Sequence, residues 1–479
     1  MAPLTRSQRA RDAELIPDIP LASSPGVRTS VAGFEQEEQA TTARIRQTAS
    51  VTYASTEAAS SRRETTDTPD EPPRFVIDLS LPPEQRYLEL CTAFRDEMLG
   101  LTTLFDEVVG DMVRVLPQKY LHLLCKSLLR GVWSKEENRE LKGISKATGV
   151  DMYLLVCFNV LLDLFMGCSS GGAAVKAGDS GRDSKMVHFR TLDWGMPALR
   201  RVVVQLDYVL EKDGPVFASS ITYAGYVGVL TGVRQGLSMS LNFRPNRIDN
   251  GVWMADMKYA WHHIMVLLGW RQSISSVLRG FLVPSQESRQ QWLEAKDRPV
   301  AVQAQGPPNY DWAVKRMGGD GKQRPVTTTA CYLCFSNGLA TTVIEKDRVS
   351  ALVRSDGNFI VVTNTDQNPP LDRPPTSADG KASSKETARY DQLAEVVEEA
   401  VERALCAQSN WDDMRAAKRK EQRLSRSGSE KALLSVEDAI ELVQRYPTTN
   451  ECTHFACVMD PSEGRVVWSR RWKDPIGDS

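Results

Sequence analysis

The sequence lacks several features of membrane and secretory proteins. No apolar run reaches the ~18 residues of a transmembrane helix, because the longest one, between about 150 and 166, is interrupted by Asp151, Asn159 and Asp163. The N-terminal segment MAPLTRSQRARDAELIPDIP has no apolar core of a signal peptide, and the chain contains no Asn-x-Ser/Thr glycosylation sequon. We therefore expect an intracellular protein of the cytoplasm, with a lysosome-like compartment as the alternative.

An excess of charge and a regular cysteine pattern are also absent. The formal net charge is -2 over 479 residues, so the overall charge does not attract the chain to nucleic acid or to an anionic membrane. The nine cysteines are irregularly spaced, and the CxxC pair formed by Cys331 and Cys334 has neither a second pair nor a nearby His. We predict buried thiols, no metal, no cofactor and no nucleic-acid partner.

The composition is that of a folded protein with a large core. Hydrophobic residues make up 41% of the chain and charged residues 25%. Residues 1–72 are rich in Ser, Thr, Ala, Glu and Arg without a sustained period, and we predict a disordered tail there. Apolar residues recur at helical spacing between 84 and 166, whereas β-rich pieces dominate 202–243 and 326–364. This order predicts an α+β fold with two antiparallel sheets and helices outside them.

Local signals add detail to this prediction. A capping box at Ser134 opens a helix over 135–148. The polar stretches 285–325 and 367–385 predict insertion loops, and the basic segment 415–426 predicts a solvated helix face or loop. These insertions add to the core and leave the motifs described next intact.

A cysteine among small residues is the main chemical signal of the chain. The apolar run ends at Gly167, Cys168 precedes Ser-Ser-Gly-Gly, and Arg190-x-x-Asp193 follows. A thiol with an Arg and an Asp about 25 residues downstream indicates a nucleophile and the charges that orient it. The alternative is a buried structural thiol, with Arg190 and Asp193 forming an ordinary salt bridge at a strand end.

A second nucleophile competes with this cysteine. The sequence GCSSG at 167–171 matches the GxSxG elbow of α/β-hydrolases, with Ser169 as nucleophile and His454, His262 or His263 as base. That elbow joins a strand to a helix, whereas here a helix-like run precedes it and strand-like pieces follow. The histidines are better explained as ordinary surface or core residues, and the cysteine remains the favoured nucleophile.

Five motifs follow one another along the chain. They are IDLSLPPEQRY from Ile77, LKGISKATGVDMYLLVCFNVLLDLF from Leu141, FRTLDWG from Phe189, ITYAGYVGVLTGVRQGLSMSLNFR from Ile221 and VVTNTDQ from Val361. In this order they resemble the acid ceramidase and N-acylethanolamine-hydrolysing acid amidase family of N-terminal-nucleophile (Ntn) amidohydrolases. Each motif alone is weak, but their common order is specific. The likeness runs from about 75 to 472, which is nearly all of the chain that we predict to be ordered.

The resemblance implies a four-layer αββα sandwich and a precursor that cleaves itself between Gly167 and Cys168. Residues 73–167 would then form a helical α-subunit region, and residues 168–479 the catalytic β-subunit region. As a new N-terminus, Cys168 would carry both the nucleophilic sulfur and an α-amine that acts as its base. Gly167 suits the cut because no side chain blocks the attack of the sulfur on its carbonyl.

The same resemblance implies roles for the remaining site residues. Asp193 would pair with the α-amine, Arg190 would favour the thiolate, and the Asn364 amide would donate to the oxyanion. The family has a second Arg after this Asn. Arg389 is the favoured candidate because a better helix follows it, and Arg373, which follows an Asp, is the alternative.

These features predict an enzyme that hydrolyses the amide bond of an N-acyl lipid. Ceramide, giving sphingosine and a free fatty acid, is the leading substrate, and N-acylethanolamines or other fatty amides are the runner-up. An unprocessed, inactive relative that binds lipid is the non-enzymatic alternative. The expected partners are the N-acyl lipid, the α and β chains of the same precursor and, transiently, a membrane surface.

Overall fold

The computed structural model describes residues 70–100, 122, 125–161, 167–178, 183–244, 254–296, 308–367, 384–424 and 433–476. The predicted tail therefore lies outside the described residues except at 70–72, and so does Arg373. Within the described part of the chain, no helix is long and apolar enough to cross a membrane.

The larger of the two sheets has eight strands. In spatial order they are β1 (Arg74–Asp78), β4 (Val203–Val209), β5 (Val216–Tyr223), β6 (Thr231–Arg234), β7 (Leu237–Phe243), β8 (Cys331–Ser336), β9 (Thr341–Lys346) and β10 (Ala351–Asp356). β1 pairs with β4 in parallel, and the other neighbours are antiparallel. Since β1 precedes the predicted cut and β4 follows it, this sheet joins both sides of that cut.

The smaller sheet carries the predicted nucleophile. Its antiparallel strands are, in spatial order, β11 (Phe359–Val362), β2 (Gly167–Ala177), β3 (Asp183–Asp193), β12 (Thr453–Asp460) and β13 (Arg465–Arg471). Side chains would not fit in the middle of β2. A Cβ at Gly171 would lie 2.1 Å from the Ile360 carbonyl oxygen, and one at Gly172 would lie 2.0 Å from the Thr341 hydroxyl. The small residues after the cysteine therefore let β2 pack closely between its neighbours.

Ten helices are described in the part of the chain that the structure covers: α1 (Leu88–Ala93), α2 (Arg95–Gly100), α3 (Lys135–Thr148), α4 (Met152–Leu161), α5 (Ala255–Leu267), α6 (Ile274–Leu282), α7 (Arg289–Lys296), α8 (Tyr310–Gly318), α9 (Ser384–Leu424) and α10 (Val436–Gln444). The helix predicted over 135–148 is confirmed. The Ser134 hydroxyl accepts from the Glu137 amide at 3.3 Å, and Gly149 ends the helix with a φ of 85°.

One prediction about the insertions needs correction. The stretch 285–325 is not only a loop, because it contains α7 and α8. Composition alone misled this prediction, since Gln, Pro and Gly in a stretch do not exclude short helices between them. The basic segment 415–426, predicted as a solvated helix face or loop, is helical as far as Leu424 and continues α9, so that helix is 41 residues long.

Helices cover the outer faces of both sheets. α9 and α10 pack on the smaller sheet, where the rings of Phe189, Phe359 and Trp411 stack, and α6 and α8 pack on the larger sheet. The inner faces of the sheets pack against each other, with Cys168 and Leu192 in the shared apolar core. The order helix, sheet, sheet, helix confirms the predicted α+β class and the four-layer αββα sandwich.

Candidate active site

Cys168 is the second residue of β2, and its side chain is fully buried between the sheets. A guanidinium nitrogen of Arg190, on the neighbouring strand β3, lies 3.3 Å from the Cys168 sulfur, and the Leu241 carbonyl oxygen lies 3.9 Å from it. Burial raises the pKa of the Cys168 thiol, and the Arg190 charge offsets this only in part. In the uncleaved chain, this thiol therefore holds its proton more tightly than a free cysteine.

Arg190 is oriented by groups at the end of β7. Its Nη1 donates to the Leu241 carbonyl at 2.7 Å and to the Asn242 side-chain oxygen at 3.0 Å. The Ser170 hydroxyl donates to the same Asn242 oxygen at 2.7 Å. These bonds hold one guanidinium nitrogen in place while Nη2 faces the sulfur. We did not single out Asn242 in the sequence, although the motif SLNFR ends just after it.

The backbone nitrogen of Cys168 faces a different set of groups. It donates to the Asn364 side-chain oxygen at 2.7 Å, and the Asn364 amide nitrogen donates to the Phe243 carbonyl at 2.7 Å. Asn364 follows β11, and it is buried. The structure therefore brings Asn364 to the peptide between Gly167 and Cys168, with its oxygen toward the nitrogen that the predicted cleavage would turn into an amine.

Asp193 ends β3 directly opposite Gly167 in the β2–β3 ladder. Its carboxylate accepts from the Thr453 hydroxyl at 2.7 Å and from Arg403 Nη1 at 2.8 Å. Burial raises the pKa of Asp193, while the Arg403 charge and the Thr453 hydrogen bond act against this rise. A Cβ built on Gly167 would lie 3.3 Å from the Asp193 Cβ, so a larger residue at 167 would press on this carboxylate's strand.

Arg403 connects Asp193 to Asn364. It lies on α9, and its second terminal nitrogen, Nη2, donates to the Asn364 side-chain oxygen at 3.1 Å. The backbone of Arg389 lies 14 residues earlier on the same helix, which corresponds to about 21 Å along its axis. Arg389 is therefore not the arginine of this cluster, and Arg403 takes its place as our candidate.

The missed arginine had a signal in the sequence. Arg403 occupies one face of α9 together with the buried residues Ala400, Ala407 and Trp411, which recur at helical spacing. An arginine within such an apolar stripe indicates a buried charge that has a partner. Arg373 lies outside the described residues and stays a prediction.

The structure contradicts the α/β-hydrolase interpretation. Ser169 lies inside strand β2, which leads into another strand, so it does not stand on a strand-to-helix elbow. His454 is held between the Tyr223 hydroxyl and the Trp194 carbonyl, at 2.9 Å from each, and burial lowers its pKa to about 3. Burial also lowers the pKa of His262, to about 4. Among the described residues, the Ser169 hydroxyl has no hydrogen-bond partner, so none of His454, His262 and His263 is placed as its base.

Comparison with known proteins finds that parts of the chain are similar to acid ceramidase and to N-acylethanolamine-hydrolyzing acid amidase. A family model described as the beta subunit of N-acylethanolamine-hydrolyzing acid amidase matches residues 70–131, which precede Cys168. We predicted an α-subunit region over residues 73–167, whereas this description names a beta subunit. Acid ceramidase of Bos taurus is 29% identical over 196 residues, 37% of this chain and 47% of that protein.

A sequence and a solved structure from Caenorhabditis elegans add to this comparison. Its N-acylethanolamine-hydrolyzing acid amidase is 29% identical over 187 residues, 36% of this chain and 48% of that protein. The matched segment thus spans about half the length of the curated relatives. A solved structure of the N-acylethanolamine-hydrolyzing acid amidase ortholog superposes with a TM-score of 0.37 at 20% identity, covering 62% of this chain and 93% of that one.

Proposed function

Because this chain is a relative of acid ceramidase and of N-acylethanolamine-hydrolysing acid amidase, we propose that it hydrolyses the amide bond of an N-acyl lipid with Cys168 as the nucleophile. One observation carries this proposal beyond the likeness itself. Charged and polar groups meet Cys168 on both sides, with Arg190 at its sulfur and Asn364 at its nitrogen. A structural thiol would require neither group.

The first step is cleavage of the chain itself. The Cys168 sulfur attacks the Gly167 carbonyl carbon and loses its proton, and the bond between that carbon and the Cys168 nitrogen breaks as the nitrogen takes up a proton. Water then hydrolyses the resulting thioester, which releases the Gly167 carboxylate and the free thiol. The contact between Arg190 and the sulfur supports this step, since a nearby cation favours the thiolate.

Lipid hydrolysis repeats this chemistry with the new N-terminus. The α-amine of Cys168 takes the thiol proton, the sulfur attacks the lipid amide carbonyl, and the leaving amine receives the proton. Water then hydrolyses the thioester to release the fatty acid. In this proposal, Asp193 pairs with the amine and Arg403 balances its negative charge, which is supported by the position of Asp193 opposite residue 167 and by its contact with Arg403. We keep Asn364 as the donor to the oxyanion. Its oxygen accepts from the Cys168 nitrogen, which places the amide beside this peptide, and its nitrogen carries two hydrogens, one of which is donated to the Phe243 carbonyl.

The proposal also includes the identity of the N-acyl lipid substrate. Ceramide, which yields sphingosine and a fatty acid, is our leading candidate, and N-acylethanolamines are the second. Relatives of both names match the chain at similar identity, 29% for each of the two proteins compared above. A panel of ceramides and N-acylethanolamines of equal acyl length would separate the two substrates by their kcat/KM values.

Mass spectrometry of the purified full-length protein tests the proposed function directly. We expect two chains, the larger one beginning at Cys168, together with hydrolysis of at least one N-acyl lipid. An intact chain that hydrolyses no member of the panel would contradict the proposal and favour the inactive lipid-binding relative. The experiment measures both cleavage of the chain and hydrolysis of N-acyl lipids. A protein that is cleaved but hydrolyses no lipid would therefore reject only the proposed lipid hydrolysis.

A membrane surface is the partner that an N-acyl lipid implies, and α5 offers a surface for it. Met257, Trp261 and Ile264 recur at helical spacing on this helix and are exposed, as is Trp270 just after it. Exposed tryptophans favour the interface between lipid and water. We expect the double substitution of Trp261 and Trp270 by Ser to weaken sedimentation with phosphatidylcholine vesicles. Unchanged sedimentation relative to Trp312→Ser, an exposed position on α8, would reject this surface.

A further inference from the structure

The two sheets meet at the candidate active site through the ends of β7 and β11. Asn364, two residues beyond β11, donates to the Phe243 carbonyl at the end of β7. In the other direction, the Asn242 amide donates to the carbonyls of Val362 and Thr363 at 3.2 and 3.4 Å. These hydrogen bonds determine how the chain segment that holds Asn364 lies against the segment that holds Arg190 in place.

An ion pair lies directly beyond these bonds. Arg244 follows Phe243, Asp366 lies two residues after Asn364, and two nitrogens of the Arg244 guanidinium donate to the two Asp366 oxygens at 2.8 and 2.9 Å. The Arg244 side chain has no exposed surface and that of Asp366 is 12% exposed. Such a two-point contact restrains both the distance and the orientation of the segments that it joins.

A third residue supports the ion pair from the larger sheet. The Tyr332 hydroxyl, on β8, donates to an Asp366 oxygen at 2.7 Å, and the Arg244 guanidinium lies 5.5 Å from the centre of the Tyr332 ring. Tyr332 is fully buried. Asp366 is therefore held by two neighbouring strands, β7 through Arg244 and β8 through the tyrosine.

We propose that Arg244, Asp366 and Tyr332 form a positioning group that holds Asn364 in register with Cys168 and Arg190. The group brackets the hydrogen bond between Asn364 and Phe243, and it lies outside the groups that contact the nucleophile in the described part of the chain. Its members position a reacting group and take no part in the chemistry. This proposal rests on the proposed function for its kinetic consequences, but its structural consequence does not depend on turnover.

The kinetic consequence follows from the role of Asn364. If the ion pair is lost, the Asn364 amide shifts relative to the scissile bond, and stabilisation of the transition state weakens more than binding of the lipid. A displacement of about 1 Å at a catalytic group can cost about 100-fold in rate. We therefore expect Asp366→Asn to lower kcat by about 10- to 100-fold and to change KM by less than about 2-fold.

The matched control is another buried two-point ion pair. Glu140 on α3 accepts from two nitrogens of Arg279 on α6 at 2.6 and 2.7 Å, away from the nucleophile. We expect Glu140→Gln to lower the thermal unfolding temperature about as much as Asp366→Asn while leaving kcat unchanged. Equal kcat losses in both variants would mean that general destabilisation explains the effect, and this outcome would overturn the proposal.

A second variant and a second readout guard against simple misfolding. Tyr332→Phe keeps the ring and removes one hydrogen bond, so we expect a folded protein with a few-fold lower kcat. Hydrogen exchange followed by mass spectrometry on the full chain should show faster exchange over 241–244 and 361–367 in Asp366→Asn, but not in Glu140→Gln.

The exchange experiment separates the two proposals. A wild-type protein that hydrolyses no N-acyl lipid would reject the proposed function, whereas faster exchange confined to these two segments would still support the positioning group. Unchanged exchange over both segments in Asp366→Asn would overturn the positioning group whatever the activity. Restored kcat in Asp366→Glu, which keeps the charge, would support it further, and a kcat as low as that of Asp366→Asn would count against it.

Discussion

Two buried clusters of charge differ in one decisive respect. The cluster that we propose as catalytic, called the catalytic cluster below, contains Cys168 with Arg190, Asp193, Asn364 and Arg403. The helix cluster contains Arg86, Glu137, Glu140 and Arg279. In the helix cluster, the Glu140 carboxylate accepts from Arg279 and from Arg86, and none of the four residues is a nucleophile of the cysteine or serine type. In the catalytic cluster, one arginine faces a sulfur. Buried charge alone therefore does not identify a reactive site, whereas a nucleophile among oriented charges does.

The clusters also join different parts of the chain. Every member of the catalytic cluster follows residue 167, so the site would remain whole within one chain after cleavage. The helix cluster joins α3, before the predicted cut, to α6 after it. Buried ion pairs contribute little net stability, but removing one partner costs several kcal/mol because the other is left buried and unpaired. The helix cluster should therefore hold the two chains together without taking part in catalysis.

The largest expected effect separates the clusters by their nucleophile. Cys168→Ala should abolish both cleavage at 167/168 and lipid hydrolysis, since no other group in our mechanism can attack either carbonyl. Cys91→Ala, which removes another buried thiol, is the control and should be processed normally. Gel and mass analysis of the purified proteins would show the difference, and cleavage retained in Cys168→Ala would refute the assigned role.

The next effect concerns the second arginine. Arg403→Ala leaves Asp193 without its cationic partner, and we expect kcat/KM to fall by about 100-fold. Arg389→Ala should stay within about 2-fold of the wild type, because its backbone lies far along α9 from the cluster. Steady-state kinetics of both variants and of Arg373→Ala would settle the matter. A larger loss in Arg373→Ala than in Arg403→Ala would favour the alternative that we drew from the sequence.

The helix cluster should respond in stability and not in activity. Glu140→Ala leaves Arg86 and Arg279 buried without their shared carboxylate, and we expect the free energy of unfolding to fall by about 3–5 kcal/mol. Urea unfolding of the full chain measures this loss. Glu463→Ala, which removes a half-exposed carboxylate, is the control and should cost less than about 1 kcal/mol. A kcat/KM below the wild-type value in folded Glu140→Ala would contradict the claim that the helix cluster affects stability and not activity.

The smallest effect is a pH dependence in the helix cluster. Burial raises the pKa of Glu137 from 4.5 to about 7, although the Arg279 charge opposes the rise. The unfolded chain releases the Glu137 proton at a lower pH than the folded chain, so the free energy of unfolding decreases as the pH rises from about 4.5 to 7. The pKa difference between the two states corresponds to a decrease of about 3 kcal/mol. Glu137→Gln should remove this contribution to the pH dependence, as measured by urea unfolding at several pH values. If Glu137→Gln and the exposed Glu89→Gln give the same slope, the assignment is wrong.

Much of the fold could be predicted because its signals are local. The helix over 135–148 has its cap and its terminating glycine in adjacent residues, and the strand around Phe189 has a clear apolar pattern. The α7 and α8 helices were missed because they are only eight and nine residues long, and so short a segment gives a weak periodic signal. The order of the elements predicted two sheets with helices outside them, because helices and sheets must bury their apolar faces on one another, and the family resemblance implied the four layers.

The candidate site likewise has a part that could be predicted from one short stretch of sequence and a part that depends on tertiary contacts. The sequence could group Gly167, Cys168, Arg190 and Asp193 as candidates because their chemistry and spacing appear within one short stretch, and the structure brings them close together. The partners of these residues depend on contacts between distant positions: Arg403 lies 210 residues from Asp193, and Asn364 lies 196 residues from Cys168. A strand shows which side chains share its face, but not which helix covers that face. The packing of α9 on the smaller sheet therefore selects Arg403, and the meeting of β7 with β11 selects Asn242 and Arg244.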